Sequence, residues 1–274
     1  MSFPWHLEPW IRLGAFAGVL ALLALAELLA PRRRQEVGRA RRWPGNLGLV
    51  ALDTFLVRLL FPVAAVGAAI FAQERGLGLF NLLGLPAAIE ITVAVILLDL
   101  LIYGQHVLFH AVPALWRVHR VHHADVEFDV TTGLRFHPVE IVLSMAIKVA
   151  AVVLLGASAI AVLIFEVLLN VTAMWSHSNI RLPVWVDRLV RRVIVTPDMH
   201  RTHHSIVPRE THSNFGFNLA CWDRLFGTYR EQPAAGHDGM IIGIPEFRRS
   251  GELRLHRMLL QPFRRERMKG DDHG

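Results

Sequence analysis

Fifteen histidines in 274 residues include three close-spaced groups: His106-Val-Leu-Phe-His110, His119-Arg-Val-His122-His123 and His200-Arg-Thr-His203-His204. At this histidine content an HxxxH pair arises by chance about once, whereas an HxxHH box is expected only ~0.05 times, so the two boxes carry the weight. On a helix, positions i, i+3 and i+4 share a face, and each group therefore aims two or three imidazoles at one point. Neutral imidazole is a good ligand for iron, copper or zinc. A structural zinc needs four ligands; the imidazoles here are enough for two metals with positions left for a substrate or dioxygen, and two irons suit the set best.

Other chemistries find no support. There is no HExxH, no serine or cysteine in a nucleophile elbow and no phosphate-binding glycine loop. A single cysteine, Cys221, excludes an internal disulfide, a CxxC pair and a cysteine-held cluster within this chain. His6, His237, His256 and His273 read as hydrogen-bonded interfacial residues. Asp99, Tyr103, His106 and His110, spaced 4, 3 and 4, form one helical stripe. Asp99 is costly in an apolar helix unless paired, so it is expected to accept from a histidine N–H or from Tyr103, behind the ligands; a plain bundle contact is the alternative.

The elements that must position these groups are membrane helices. The chain is 53% hydrophobic and 19% charged with a mean hydropathy of +0.38, too apolar for an ordinary soluble domain. Apolar runs at residues 13–30, 47–72 and 86–105 predict three spans. The run 139–175 would make a helix of about 55 Å against a bilayer core of ~30 Å, so it reads as a hairpin, 139–155 and 157–175, broken near Gly156 and Ser158. The expectation is an all-α, integral membrane bundle of four to five helices with a histidine-rich helical cap, forming one domain. Ala24-Leu25-Ala26 resembles a signal-peptidase site, but Arg32, Arg33 and Arg34 follow, and the first span reads as an anchor. Of 29 Lys and Arg residues, 25 fall in segments that alternate crossing places on one side, which the positive-inside rule makes cytoplasmic, in a plasma or inner membrane. The net charge of +6 follows from that topology, and no nucleic-acid partner is expected.

The order HxxxH, HxxHH, HxxHH, together with Arg135-Phe-His-Pro138, Ser176-His-Ser-Asn179, Thr196-Pro-Asp-Met-His200 and Asn214-Phe-Gly…Trp222-Asp-Arg-Leu-Phe-Gly-Thr-Tyr229, resembles the fatty acid hydroxylase and sterol desaturase superfamily. The likeness covers residues 99–229, nearly half the chain. Members of that superfamily are integral membrane oxygenases with a histidine-ligated dinuclear iron site on the cytosolic face, and they hydroxylate, desaturate or cleave lipids. The resemblance implies metal ligation by His106, His110, His119, His122, His123, His200, His203 and His204, which match the boxes directly. His177 and His137 match the additional histidines. His177 follows the last apolar stretch and is placed to close the coordination sphere; for His137, just before Pro138, a ligand and a helix-start role both stay open. His212 stands where the family has a smaller polar residue and is left out.

The implied chemistry is activation of O2 at two irons, directed at a C–H bond of a fatty-acyl, sterol-like or terpenoid lipid from the bilayer, with hydroxylation and desaturation both open. Each turnover needs two external electrons, and the chain has no dinucleotide fingerprint and no recognisable haem or iron–sulfur spacing. A separate electron-transfer protein of ferredoxin, cytochrome or reductase type is expected; Arg188, Arg191, Arg192, Arg248, Arg249, Arg264 and Arg265 offer it a basic surface, or equally a surface for lipid headgroups. A histidine-lined metal transporter predicts ligands near mid-membrane on several spans, whereas these boxes cluster at and beyond helix ends. The remaining alternative, a metal-binding scaffold without oxygenase activity, ranks last, because in a catalytically dead protein the boxes should have decayed and here they are intact.

Overall fold

A chain in hydrocarbon must satisfy its own N–H and C=O groups, which makes apolar runs of bilayer length helical. The computed structural model describes residues 4–264, so Arg265 and His273 lie outside the described residues. Among those described, five helical stretches are long and apolar enough to cross a membrane. They are α1 (Glu8–Leu29), α2 with α3 (Arg39–Leu60 and Ala64–Glu74), and, after the short α4 (Leu79–Leu83), α5 (Ala87–Ala111), α7 (Pro138–Leu155) and α8 (Ala159–Ser176). Between α5 and α7 stands α6 (Pro113–His123). After α8 come short helices: α9 (Val184–Val190), α10 (Pro197–His203), α11 (Pro208–Thr211), α12 (Cys221–Leu225), α13 (Gly236–Gly239) and α14 (Leu255–Leu260). No strand is present among the described residues, only isolated β-bridges.

The run expected as a single second span, 47–72, is broken between α2 and α3 at Phe61–Val63. Pro62 drives Phe61 out of the helical region, to φ −128° and ψ 70°. The turn between α7 and α8 lies at Gly156–Ser158. Gly156 ends α7 at φ 66°, and Ser158 begins α8, its Oγ accepting from the Ala161 amide. Nothing larger fits at Gly156, since a Cβ there would stand 2.6 Å from the Leu77 carbonyl oxygen.

Within the bundle α1 packs on α8, α2 on α7, α3 on both α7 and α8, and α5 on α8. Leu98, Ile102, Val152, Val162 and Phe165 fill the core. Glu166 of α8 accepts from Lys148 of α7 (2.7 Å) and Arg12 of α1 (2.6 Å), a pairing that makes charges at membrane depth tolerable and pins three helices together.

At the opposite end, charged side chains tie the cap to the bundle. Arg42 of α2 is fully buried; it donates to both oxygens of Asp125 (2.7 and 2.8 Å) and to Asp129 (2.6 Å). Arg135 donates to the Val121 carbonyl (2.7 Å), so the loop leaving α6 is stapled at both ends. Glu27, at the end of α1, accepts from the amides of Val130 (2.7 Å) and Asn179 (2.8 Å). Replacing Arg42 by Ala leaves Asp125 and Asp129 buried without their cation, which is expected to cost about 3–5 kcal/mol. Replacing its exposed neighbour Arg41 by Ala should change stability by no more than ~0.5 kcal/mol. Denaturant unfolding in detergent separates the two; equal small effects would show that the network does not hold the cap.

Candidate metal centre

Four elements bring nine histidines together. His106 and His110 lie on the last two turns of α5; His119, His122 and His123 on α6; His177 just past α8; His200 and His203 on α10, with His204 as its C-cap. Each box helix begins sharply: α6 has Pro113 at its first position, and α10 starts at Pro197 behind Thr196, whose Oγ1 accepts from the Met199 amide. The nine form two groups, His106, His110, His119, His123 and His203 in one and His122, His177, His200 and His204 in the other. Within each group the ligating nitrogens lie within 4.8 Å of one another, and no member is more than 6% exposed.

The two HxxHH boxes divide in opposite senses. In the first, the i and i+4 members, His119 and His123, join the five-histidine group while His122 joins the other; in the second, His200 and His204 join the four-histidine group while His203 crosses over. The groups consequently abut, with the His123 and His204 rings stacked at 4.5 Å.

Hydrogen bonds fix which nitrogen faces inward. A carbonyl only accepts, so His106 donates from Nδ1 to Phe215 (2.8 Å), His203 from Nδ1 to Ser213 (2.7 Å) and His177 from Nδ1 to Ala173 (2.7 Å). His119 Nδ1 donates to the buried Glu140 carboxylate (2.7 Å). Each Nε2 is thereby left with a lone pair, the arrangement that orients and strengthens metal-ligating imidazoles. The Nε2 atoms of His106, His119, His123 and His203, and both ring nitrogens of His110, are buried without a partner. In the other group the Nε2 atoms of His122, His200 and His204 each stand 3.1 Å from Nε2 of His177. A lone-pair nitrogen cannot satisfy three neighbours at once, and a shared cation resolves the convergence. Burial, then neighbouring imidazoles, hold the pKa values of His122, His123, His200, His203 and His204 well below the ordinary histidine range, and burial takes His177 down to about 3. These rings are neutral at pH 7, the state a metal requires. The residues present fit a pair of metal ions.

The structure does not bring His137 to either group. It caps α7, with Nδ1 accepting from the Val139 amide (3.2 Å) and Nε2 facing the Leu259 carbonyl (3.3 Å), which leaves no lone pair for a metal. Asp99 meets neither a histidine nor Tyr103. Its carboxylate accepts from the amides of Asn218 (3.3 Å) and Leu219 (3.1 Å) and from Nε1 of Trp222 (2.8 Å). Asp223 grips the same loop, accepting from the amides of Phe215 (2.7 Å) and Gly216 (2.9 Å) and from Thr228 (2.7 Å). This loop carries the carbonyls that orient His106 and His203, so Asp99 acts through backbone. Tyr103 stands behind it, its hydroxyl donating to Thr228 (2.9 Å) and its ring stacked on Phe226.

Sequence reasoning missed Glu140, Asp223 and Gly133. An acid in the first turn of an apolar span was the signal for Glu140. Gly133 admits nothing larger, for a Cβ would lie 2.5 Å from the Ala173 carbonyl oxygen and 3.0 Å from His177 Nδ1.

The sequence model of a family described as Fatty acid hydroxylase matches residues 91–228, a stretch that contains all nine histidines. Over 184 residues the chain is 30% identical to an ornithine lipid hydroxylase, OlsE, of Rhizobium tropici, covering 67% of this chain and 53% of that one. Alkylglycerol monooxygenases are similar over shorter stretches: 29% over 130 residues in Xenopus tropicalis (46% of this chain, 27% of the relative) and 26% over 133 residues in Homo sapiens (47% and 28%). The chain spans about half the length of the first of these relatives and less than a third of the other two. No solved structure matches it.

If the two groups each hold an ion, His177→Ala should reduce bound metal by about half, because His177 Nε2 is the nitrogen on which the other three imidazoles of its group converge. His137→Ala should leave metal content unchanged. Asp99→Asn, which slackens the loop behind His106 and His203, should weaken metal affinity or turnover about 10–100-fold without emptying the site. Elemental analysis of the purified variants checks all three, and a His137→Ala protein with half the metal would contradict the grouping.

Proposed function

We infer the reaction from two facts together: the chain belongs to the fatty acid hydroxylase family, and it gathers nine buried imidazoles into two abutting groups at one end of a bundle of membrane-crossing length. The reaction is O2-dependent hydroxylation of a bilayer lipid at a pair of irons. One oxygen atom enters a C–H bond and the other leaves as water, with two electrons from an external carrier and two protons. The observation that carries this reading is the set of Nδ1–H groups pinned to carbonyls and to Glu140, which aims lone pairs inward from both groups.

Two irons held there would supply dioxygen activation and the power to break an unactivated C–H bond. The chain's own residues hold the ions through His106, His110, His119, His123 and His203 on one side and His122, His177, His200 and His204 on the other. Aromatic rings keep water away: Phe136 stacks on His122 at 4.5 Å, Phe128 on His177 at 5.4 Å, and Phe215 meets His106 at 5.5 Å. Hydroxylation is preferred to desaturation because the relatives are described as a lipid hydroxylase and as monooxygenases of alkylglycerols. A metal transporter needs ligands that hand cargo along a path; clustering of all nine at one end of the spans supports a resident centre instead.

Electrons come from a separate ferredoxin-, cytochrome- or reductase-type protein on the cytoplasmic side, the side that the distribution of basic residues favours for the cap. Arg188 and Arg192 are exposed there, whereas Arg191 is buried between Asp187 and Tyr229 and serves the cap's own structure. Trp116, half-buried, touches the rings of His110 (5.0 Å) and His123 (5.3 Å) and gives electrons an aromatic route inward.

Protein expressed with ample iron should carry about two irons per chain, more imidazoles being present than one ion can use. Supplied with lipid, a reductase system and oxygen-18 gas, it should yield lipid product bearing one heavy oxygen. His122→Ala and His203→Ala should abolish that product, and the exposed His256→Ala should retain it. One tightly held zinc without iron, or product without heavy oxygen, would reject the reading.

A further inference from the structure

Between α5 and α8 runs an apolar groove of about 320 Å³, walled by Ile91, Val95 and Ile96 on one side and Ile164 and Leu168 on the other. That volume lies at the lower end of the range for ligand sites, roughly 300–1,000 Å³. Ile96, Ile164 and Leu168 are 38%, 37% and 41% exposed on two helices of membrane-crossing character, so the groove opens to hydrocarbon. From Ile91 to Asp99 it follows α5 for about 12 Å at the helical rise.

Its inner end is built by the loop that Asp99 holds. Polar groups along the groove are occupied: the Asp99 oxygens by Asn218, Leu219 and Trp222, and the Thr92 hydroxyl by the Ala88 carbonyl (2.8 Å). Asn218, buried at the inner end, is likewise held, its backbone amide donating to Asp99 and its side chain lying against Asp99 and Thr172. Next to Asn218, the half-buried Phe217 packs into the membrane core and also lies 5.9 Å from the ring of His106 and 6.4 Å from that of His200, one imidazole from each group. The residue before Asn218 thus reaches both metal positions, so one step along the chain joins the inner end of the groove to the centre.

We propose that this groove seats the hydrocarbon chain of the lipid substrate, with its inner end at Asn218 and Leu219 directed, by way of the neighbouring Phe217, toward the metals. The occupant is a chain of the bilayer itself, because the walls are apolar and face the membrane. The lipid's polar head lies toward the cap, at the membrane surface, and its chain runs along α5 toward Ile91. The carbon presented toward the metals is therefore near the head end of the chain and not near the terminal methyl. This rests on the lipid hydroxylase reading, but the occupancy of the groove is measurable without it.

The test uses full-length, iron-loaded protein in nanodiscs containing phosphatidylcholine with a diazirine either near the head end or near the methyl end of one acyl chain. Samples are irradiated without oxygen or electron donor, and adducts are mapped by mass spectrometry. The head-end probe should label residues 217–219 and the methyl-end probe should label the wall near Ile91. Leu168→Trp, and independently Val95→Trp, should each cut groove adducts about tenfold, the effect of losing ~1.4 kcal/mol of binding. Labelling spread evenly onto bilayer-facing residues such as Leu22 and Leu28 of α1, unchanged by both substitutions, would overturn the groove. Reversed labelling by the two probes would overturn the head-end assignment. Groove adducts with no hydroxylated product under full turnover conditions would reject the reaction while leaving the groove standing; normal hydroxylation by both tryptophan variants would reject the groove while leaving the reaction.

Discussion

Each imidazole that is to bind a metal must keep one nitrogen free of protons, and the other nitrogen's hydrogen must have somewhere to go. In water this costs nothing, but inside a dry cap every such hydrogen needs a built acceptor. The backbone carbonyls of Phe215, Ser213 and Ala173 and the carboxylate of Glu140 meet that need. Three of the four are main-chain atoms; Ala173 is held within α8, but the carbonyls of Phe215 and Ser213 stay where they are only if their loop does. Much of the cap reads as the consequence: loops that would otherwise wander are clamped so that imidazoles point one way.

The clamps are themselves buried and polar. Asp99 and Asp223 hold the loop over His106 and His203, while Arg42 with Asp125 and Asp129 holds the loop that leaves the first HxxHH helix. Glu27 bridges that same loop to the backbone following His177. Such networks contribute little when intact compared with well-packed apolar side chains, yet removing one member strands the rest. Their value lies in specifying one arrangement, which is the property a pair of adjacent metal positions demands. Glu27 of α1, Arg42 of α2 and Asp99 of α5 are thereby accounted for as supports of loops that lie far away in sequence.

How much of this could be read from the chain follows from the range of each interaction. The i, i+3 and i+4 spacing shows which imidazoles share a helix face, because helical periodicity is local, and the hairpin break announces itself through Gly156 and Ser158. Spacing does not show which neighbouring helix a given ring will meet. The division of each HxxHH box between two groups, and the central position of His177, depend on how α6 and α10 approach one another and were not legible. Asp99 illustrates the same limit: its place on a stripe with His106 suggested a partner on its own helix, while its actual partners come from a loop 119 to 123 residues later. His137 has the residue type of a ligand and the position of a helix cap, and the neighbouring Pro138 decided between them by starting α7 there. The break at Phe61 was signalled by Pro62 but hidden by the apolar composition on both sides.

One helix, α5, joins the candidate metal centre to the groove. Its inner turns carry His106 and His110; one face of its outer turns lines the groove; and Asp99 lies between, gripping the loop that bears Phe217 and Asn218. Metal position and chain position are thus referred to the same rigid rod, not to separate loops. A helix rises 1.5 Å per residue, so the register between the end of the groove and the metals is set by the residue count from Asp99 to His106. Selectivity for one carbon along a featureless hydrocarbon chain needs such a ruler, because methylene groups offer no hydrogen bond by which to tell them apart. The chain can be positioned only from its polar end, which the membrane surface holds on the side of the cap, so the helix that carries the ligands also counts carbons from that end.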